Sequence, residues 1–223
     1  MNVNSYYTTM GSLEEEKRLD IIANNIANSN TAGFKKDTLS FSDVLGDITY
    51  TSMAQGPIRE TGNKLDIALS GDGFLSIQTD QATVYTRAGN LTVNNAKQLV
   101  TQDGWQVLGK NGPITIEQTG NLRINEKGQV FDGKNMVGEL NIVQFPPNSL
   151  AKDQSGYFEP QDGSQPENAV GCTVQQGALE GANFNPVEEM ARMVQTVRNF
   201  ESYQKAIQNT GNLDSQLIAK TSG

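Results

Sequence analysis

Few side chains in this sequence have the type and spacing for chemistry, and those few lack partners. Histidine is absent, which removes the commonest general base, metal ligand and neutral-pH switch together. Cys172 is the sole cysteine, so no intrachain disulfide or thiolate cage can form, and it reads as a buried structural thiol. Glu14, Glu15 and Glu16 are consecutive; on a helix their carboxylates splay apart and cannot converge on a metal, so they read as a solvated face. The run SGDGFLS (Ser70–Ser76) has neither the GxxxxGK[ST] of a P-loop nor the third glycine of a dinucleotide fingerprint; it reads as a turn. Asp103-Gly104, Asp132-Gly133 and Asp162-Gly163 are turn signatures without calcium-loop spacing. Trp105, the lone tryptophan, reads as core. No nucleophile–base pair can be assembled. No catalytic, cofactor-binding or metal-binding residue is therefore assigned, and the chain is not expected to be an enzyme.

What remains is amide chemistry. The chain holds 22 Asn and 18 Gln, and Asn24, Asn25 and Asn28 cluster at the end of the apolar helical set Leu19, Ile22 and Ile26. An amide can bond backbone or another chain without the cost of burying a charge. Asn30, Thr31 and Gly33 then stop the helix, Gly33 being free to take positive φ, and Phe34 sets an apolar anchor just beyond.

These residues need elements to position them, and three regimes are legible. Tyr6, Met10 and Leu13, then Leu19, Ile22 and Ile26, fit a helix from about Asn4 to Asn28 with a phase slip between the two sets. At the rear, Asn185 is an N-cap candidate, Pro186 suits the first helical position and Glu188 completes capping-box spacing. Val187, Met190, Val194, Val197, Phe200, Tyr203 and Ile207 then recur at helical spacing, with Leu213 and Leu217 beyond. A helix from Pro186 to Lys220 would be about 52 Å long. One narrow stripe on so long a helix needs partner helices. The middle reads as β throughout, in short apolar or alternating runs punctuated by Gly, Asn and Asp. It holds an internal echo: GNLTVNNAKQLV from Gly89 and GNLRINEKGQVF from Gly120 align without gaps, as two similar hairpins.

The expected fold class is α+β: N- and C-terminal helices forming a coiled-coil-like layer around an inserted all-β domain. The boundaries are 1–36 for the first helix and its turn, 37–64 for an extended connector, 65–184 for the β domain and 185–223 for the last helix. Residues 146–168 read as a long polar loop or a small excursion. The net charge of −8 falls wholly in the middle, because each end balances its acids and bases. Neutral ends suit contact with protein, an acidic centre suits water, and the lack of a basic stripe argues against nucleic acid. A mean hydropathy of −0.49, with no run of 18 apolar residues, excludes a transmembrane helix, so no membrane insertion is expected. The first residues show neither the basic nor the apolar region of a secretory signal, so any export must use another route.

ANNIANSNTAGFK (Ala23–Lys35) closely resembles the ANNxANxxTxGFK signature of bacterial flagellar rod and hook proteins. LDIALSGDGFLSIQ resembles the family's LDxAIxGxGFF segment, and YTRAGNLTVNNAKQLVTQDGWQVLG its YTRxGxFxxxxxGxLVTxxGxxV segment. VQQGALEGANFNPVEEMARMVQTVRNFESYQKAI matches its closing helix. The early YYTTMGS, the GPITI at Gly112–Ile116, NPVEEM and the short length look most like the family's proximal rod members; distal rod and hook proteins are the near alternatives. Leu75 stands where the family often has a second aromatic, and Ala96 is read as replacing a hairpin glycine.

The resemblance implies no catalytic activity and no cofactor. It implies export, without a cleaved signal, through the flagellar type III apparatus into the rod of the basal body in the periplasmic space. The partners implied are other copies of the chain and neighbouring proximal and distal rod proteins. The residues expected to carry assembly are Leu19, Ile22, Asn24, Asn25, Ile26, Asn28, Gly33, Phe34, Val187, Met190, Val194, Val197, Phe200 and Ile207. The stripes of the two helices should bury against each other and against neighbouring subunits, with the amides bonding between subunits. A secreted β-domain module for carbohydrate, carried on a helical stalk, is the reading from another class.

Overall fold

The computed structural model describes residues 3–42, 46–117, 122–153, 155–161 and 163–221. Side chains are described from Tyr6 to Ser40, and from Thr49 to Asn212 apart from 118–121, 154 and 162. Asp162, Leu213 and Leu217 lie outside the described side chains. The fold is α+β, with a helix at each end and a β-rich middle. Among the described residues no helix is long and apolar enough to cross a membrane. The chain divides into two compact units: Met1–Ser29, Lys36–Ser52 and Phe184–Gly223 form the helical unit, and Asn30–Lys35 with Met53–Asn183 form the β unit.

In the helical unit, α1 spans Val3–Ala27 and α2 spans Pro186–Thr221. Asn185 caps α2 as its sequence requires: its Oδ1 accepts from Val187 N at 3.0 Å and its carbonyl from Glu189 N at 3.2 Å. Glu188 and Glu189 lie in the first turn, where the helix dipole favours carboxylates. The two helices run antiparallel, because Ser12 meets Gln204 while Glu15, further along α1, meets the earlier Asn199. Asp37–Ser42 pairs with Gly46–Thr51 as an antiparallel hairpin, in register Leu39 with Thr49. The hairpin occupies the first half of the segment expected as an extended connector. The sequence carries a strand period in each half of the hairpin, Leu39 and Phe41 in the first and Ile48 and Tyr50 in the second.

In the β unit, Phe74–Gln78 is the central strand. Thr83–Thr86 pairs along one edge of it; Gln106–Gly109 and Ile142–Gln144 divide the other. Ile67–Ser70 pairs with Thr173–Gln176, and Ile58–Glu60 with Ala178–Glu180. Ile67, Leu69, Leu75, Ile77, Val107 and Leu140 are sealed in one core, with Trp105 packed partly buried against it. Phe74, Tyr85, Val143 and Phe158 form a second cluster. Within 146–168, Leu150–Lys152 pairs with Phe158–Pro160, and Phe158 pairs with Tyr85 of the main sheet. Cys172 is half-buried, and burial pushes its thiol above the usual range.

The echo is a pair of matched hairpins. Thr92–Val93 pairs with Leu99–Val100, and Leu122–Ile124 with Gln129–Asp132. At the two tips Asn94 and Asn125 do the same work. Each backbone carbonyl accepts from the residue three on, at 2.9 Å in both, and each side-chain Oδ1 accepts from the backbone N of Gln98 or Gln129, at 2.9 and 3.0 Å. Lys97 (φ 62°) and Gly128 (φ 78°) occupy the equivalent left-handed position. The residue standing where glycine is favoured is thus Lys97, which corrects the reading of Ala96.

Candidate assembly site

The expected assembly residues divide between the two units. In the helical unit polar groups meet across the seam between α1 and α2. Ser12, Glu15, Glu189 and Thr196 are all buried. Gln204 Nε2 donates to Ser12 Oγ at 3.0 Å, and Asn199 Nδ2 reaches Glu15 Oε1 at 3.5 Å. Gly11 lets the Tyr203 ring lie close, since a Cβ there would stand 2.8 Å from the ring. Glu15 is therefore not on a solvated face. Its Oε1 accepts from Arg18 at 2.7 Å, and its Oε2 is buried with no hydrogen-bond partner. Arg18 also reaches Glu14 at 2.6 Å.

The apolar residues of α2 face elsewhere. Val187 is 71% exposed, Met190 51%, Val194 52% and Val197 37%. Ile22 is buried, whereas Leu19, Ile26, Phe200 and Ile207 are half-buried. The first four residues of the α2 stripe are thus its exposed part.

The amides also separate. Asn25 is 0% exposed, and its side chain grips one backbone unit twice: Nδ2 donates to the Asp37 carbonyl at 2.8 Å, and Oδ1 accepts from Asp37 N at 3.0 Å. Its bonding capacity is thus used within the chain, at the start of the hairpin. Asn28 Nδ2 donates to the Asn24 carbonyl at 2.9 Å, closing the helix end, and Asn24 is exposed. Beside this end a groove of about 340 Å³ opens. Ile21, Ile22 and Leu39 supply apolar lining, with Arg18, Lys36 and Arg192 as cations and Gln195 and Asn199 on the α2 side. Lys36 Nζ bonds Glu189 Oε1, and Arg192 Nε stands 3.7 Å from the same oxygen.

The last part of the signature belongs to the β unit. Gly33 has φ +67°, and a Cβ there would lie 2.3 Å from the Arg87 carbonyl carbon, so only glycine fits. Its N–H donates to the Glu180 carbonyl at 2.8 Å. Phe34 is buried beneath the Lys152 ammonium, 3.8 Å from the ring centroid, and Lys152 also donates to the Lys35 carbonyl at 2.9 Å. Lys35, 1% exposed, donates to Glu180 Oε1 and to the Ala54 carbonyl, both at 2.7 Å. Glu180 Oε1 also accepts from Gly56 N at 2.8 Å, and Oε2 accepts from Arg87 Nε at 2.9 Å. Arg87 donates onward to the carbonyls of Gly71 and Gly73. Burial lowers the Lys35 pKa, opposed by the Glu180 charge beside it. This three-charge knot holds the signature segment, and sequence reasoning missed it. Its members lie 93 and 145 residues apart, beyond the reach of any local pattern.

Among the described residues no group of three or more His, Cys, Asp or Glu side chains is placed to hold a metal ion. The geometry does structural work: one site holds a turn, the other leaves an apolar helix flank open. Residues 14–35 match the family described as flagella basal body rod protein, and residues 68–132 the flagellar hook protein FlgE/F/G D1 domain. Residues 175–219 match the flagellar basal body rod FlgEFG protein C-terminal family. The class is therefore that of structural flagellar proteins, not enzymes. Flagellar basal-body rod protein FlgF of Caulobacter vibrioides is 33% identical, over 92% of this chain and 91% of its own length. FlgF of Salmonella typhimurium is 31% identical over 92% of both chains, and the rod protein FlgG of Bacillus subtilis 29% identical over 97% of this chain and 98% of its own. The chain belongs to the flagellar basal-body rod protein family.

Proposed function

We propose that this structural rod subunit is of the proximal, FlgF-like kind, and that it polymerises through its terminal helices into the hollow, torque-transmitting shaft. The observation that carries this reading is the open apolar flank of α2: Val187, Met190, Val194 and Val197 face solvent while the seam beside them is polar. Fully burying a side chain of this size is worth about 1.5–3 kcal/mol, and within one chain these four are covered only in part. Neighbouring copies and neighbouring rod proteins supply the missing surface. The helices form the inner coiled-coil layer around the export channel, and the β unit forms the outer layer. The chain reaches this place through the flagellar type III apparatus.

Val194→Asp tests the reading, since it places a charge on an exposed position without touching the seam. The variant should be exported and folded, absent from purified basal bodies, and non-motile; normal incorporation and swimming would refute helix-stripe assembly. A distal-rod role is the second reading, since the Bacillus subtilis FlgG is also similar over nearly its whole length. Labelled chain found next to the hook rather than next to the inner membrane would select it.

A further inference from the structure

Helix geometry sets the open stripe and the groove on opposite flanks of α2. At about 100° per residue, Val187, Met190, Val194 and Val197 fall within an arc of about 80°. Arg192, Gln195 and Asn199, which line the groove, lie roughly half a turn around the helix from that arc. A copy thus presents an apolar ridge on one side and an apolar-floored recess on the other. The ridge cannot reach its own recess.

Charge matches as well as shape. Along the ridge from Val187 the next residue in line after Val197 is Glu201, exposed and four positions on, so the line of about 21 Å ends in one acid. On the groove rim Arg18 is already bonded to Glu14 and Glu15, and Glu189 already accepts from Lys36. Arg192 is more than half exposed, and its Nε stands 3.7 Å from Glu189 Oε1, beyond hydrogen-bond distance. It is the rim cation with capacity for an incoming carboxylate.

We propose that the groove lined by Ile21, Ile22, Leu39 and Arg192 receives the Val187–Glu201 ridge of a second copy of this chain, with Glu201 meeting Arg192. The inference rests on the assembly reading above and adds the partner surface to it. Because ridge and recess are different surfaces on opposite flanks, the contact is heterologous. Each docked copy leaves a fresh ridge and a fresh recess, so the arrangement propagates rather than stopping at a pair.

Two single-cysteine chains, Val194→Cys on the ridge and Gln195→Cys on the groove rim, each in a Cys172→Ser background, test this. Each chain carries one cysteine, so a mixed link can form only between two copies. The two are mixed as purified full-length chains at high concentration, treated with a short bis-maleimide, and also co-expressed and recovered in basal bodies. The expected result is a mixed ridge–groove dimer at least about tenfold above either self-linked dimer, reduced when the groove copy also carries Arg192→Glu and restored when the ridge copy carries Glu201→Arg. A dominant Val194–Val194 link overturns the proposal, since ridges would then meet ridges. No mixed link above background, in either setting, also overturns it. Unaltered chain missing from basal bodies would instead defeat the rod reading, and the purified mixture would still decide the docking.

Discussion

In the β unit Ile67, Ile77 and Val107 have no access to solvent and the charges of Lys35, Glu180 and Arg87 are buried with partners; in the helical unit Val187, Met190 and Val194 face water while Ser12, Glu15 and Thr196 are buried between helices. One unit follows the usual rule of an apolar interior, and the other departs from it. A polar seam gives little association energy, because hydrogen bonds exchanged with water contribute only about 0.5–1.5 kcal/mol each. Its worth lies in direction: Gln204 on Ser12 and Asn199 on Glu15 set which face of each helix points inward. The apolar surface is thereby left for use outside the unit. On a structural subunit of the flagellar rod, the assembly proposed above makes such a flank a provision for contact.

The contrast can be broken from the β side first. Glu180→Gln leaves Lys35 and Arg87 buried without a full counter-charge, and should cost about 3–5 kcal/mol, read as a fall in urea midpoint. An unchanged midpoint would mean that the knot is ornamental. Gly33→Ala should cost at least about 1–3 kcal/mol through its left-handed φ, with more from the close approach of the Arg87 backbone. On the helical side, Asn25→Ala removes both bonds to Asp37 and should cost about 1–3 kcal/mol, accompanied by faster amide exchange at Asp37.

Alkaline titration gives a subtler test. Burial, reinforced by the hydrogen bond to Asp103, pushes Tyr157 up to about 12. The folded chain therefore keeps this proton after an unfolded one has released it near pH 10. Stability from this group is fully present below pH 10 and is lost as pH rises from 10 to 12. Lys35, whose pKa is lowered, acts in the opposite direction as the pH approaches 10.5. The measurement is thus a difference: Tyr157→Phe should lose stability less steeply than the parent chain across pH 10–12. The smallest effect sharpens the contrast most. Val194→Asp should shift the unfolding free energy of the isolated chain by no more than about 0.5 kcal/mol, because its side chain is already in water.

Much of this was legible in the sequence, and what was not has physical reasons. Spacing of Val187, Met190 and Val194, with Asn185 and Pro186 ahead, located α2 to within a residue or two, because caps and periodicity are local. The two hairpins declared themselves through their shared Gly-Asn-Leu start. The seam did not, since periodicity identifies apolar residues and then invites the assumption that they face inward. Asn25 was singled out, but its partner is the backbone of Asp37, to which any residue could contribute equally. The Lys35–Glu180–Arg87 knot depends on strand pairing across most of the chain, and no short window contains two of its members.

The twin hairpins carry a consequence of their own. Asn94–Gln98 and Asn125–Gln129 fold the same tip with the same bonds, yet one turns on lysine and the other on glycine. Nature has set a matched pair inside a single polypeptide, differing at the pivot by one side chain. Comparing how often each loop opens, by hydrogen exchange at its own amides, reads the cost of a left-handed lysine against a built-in reference.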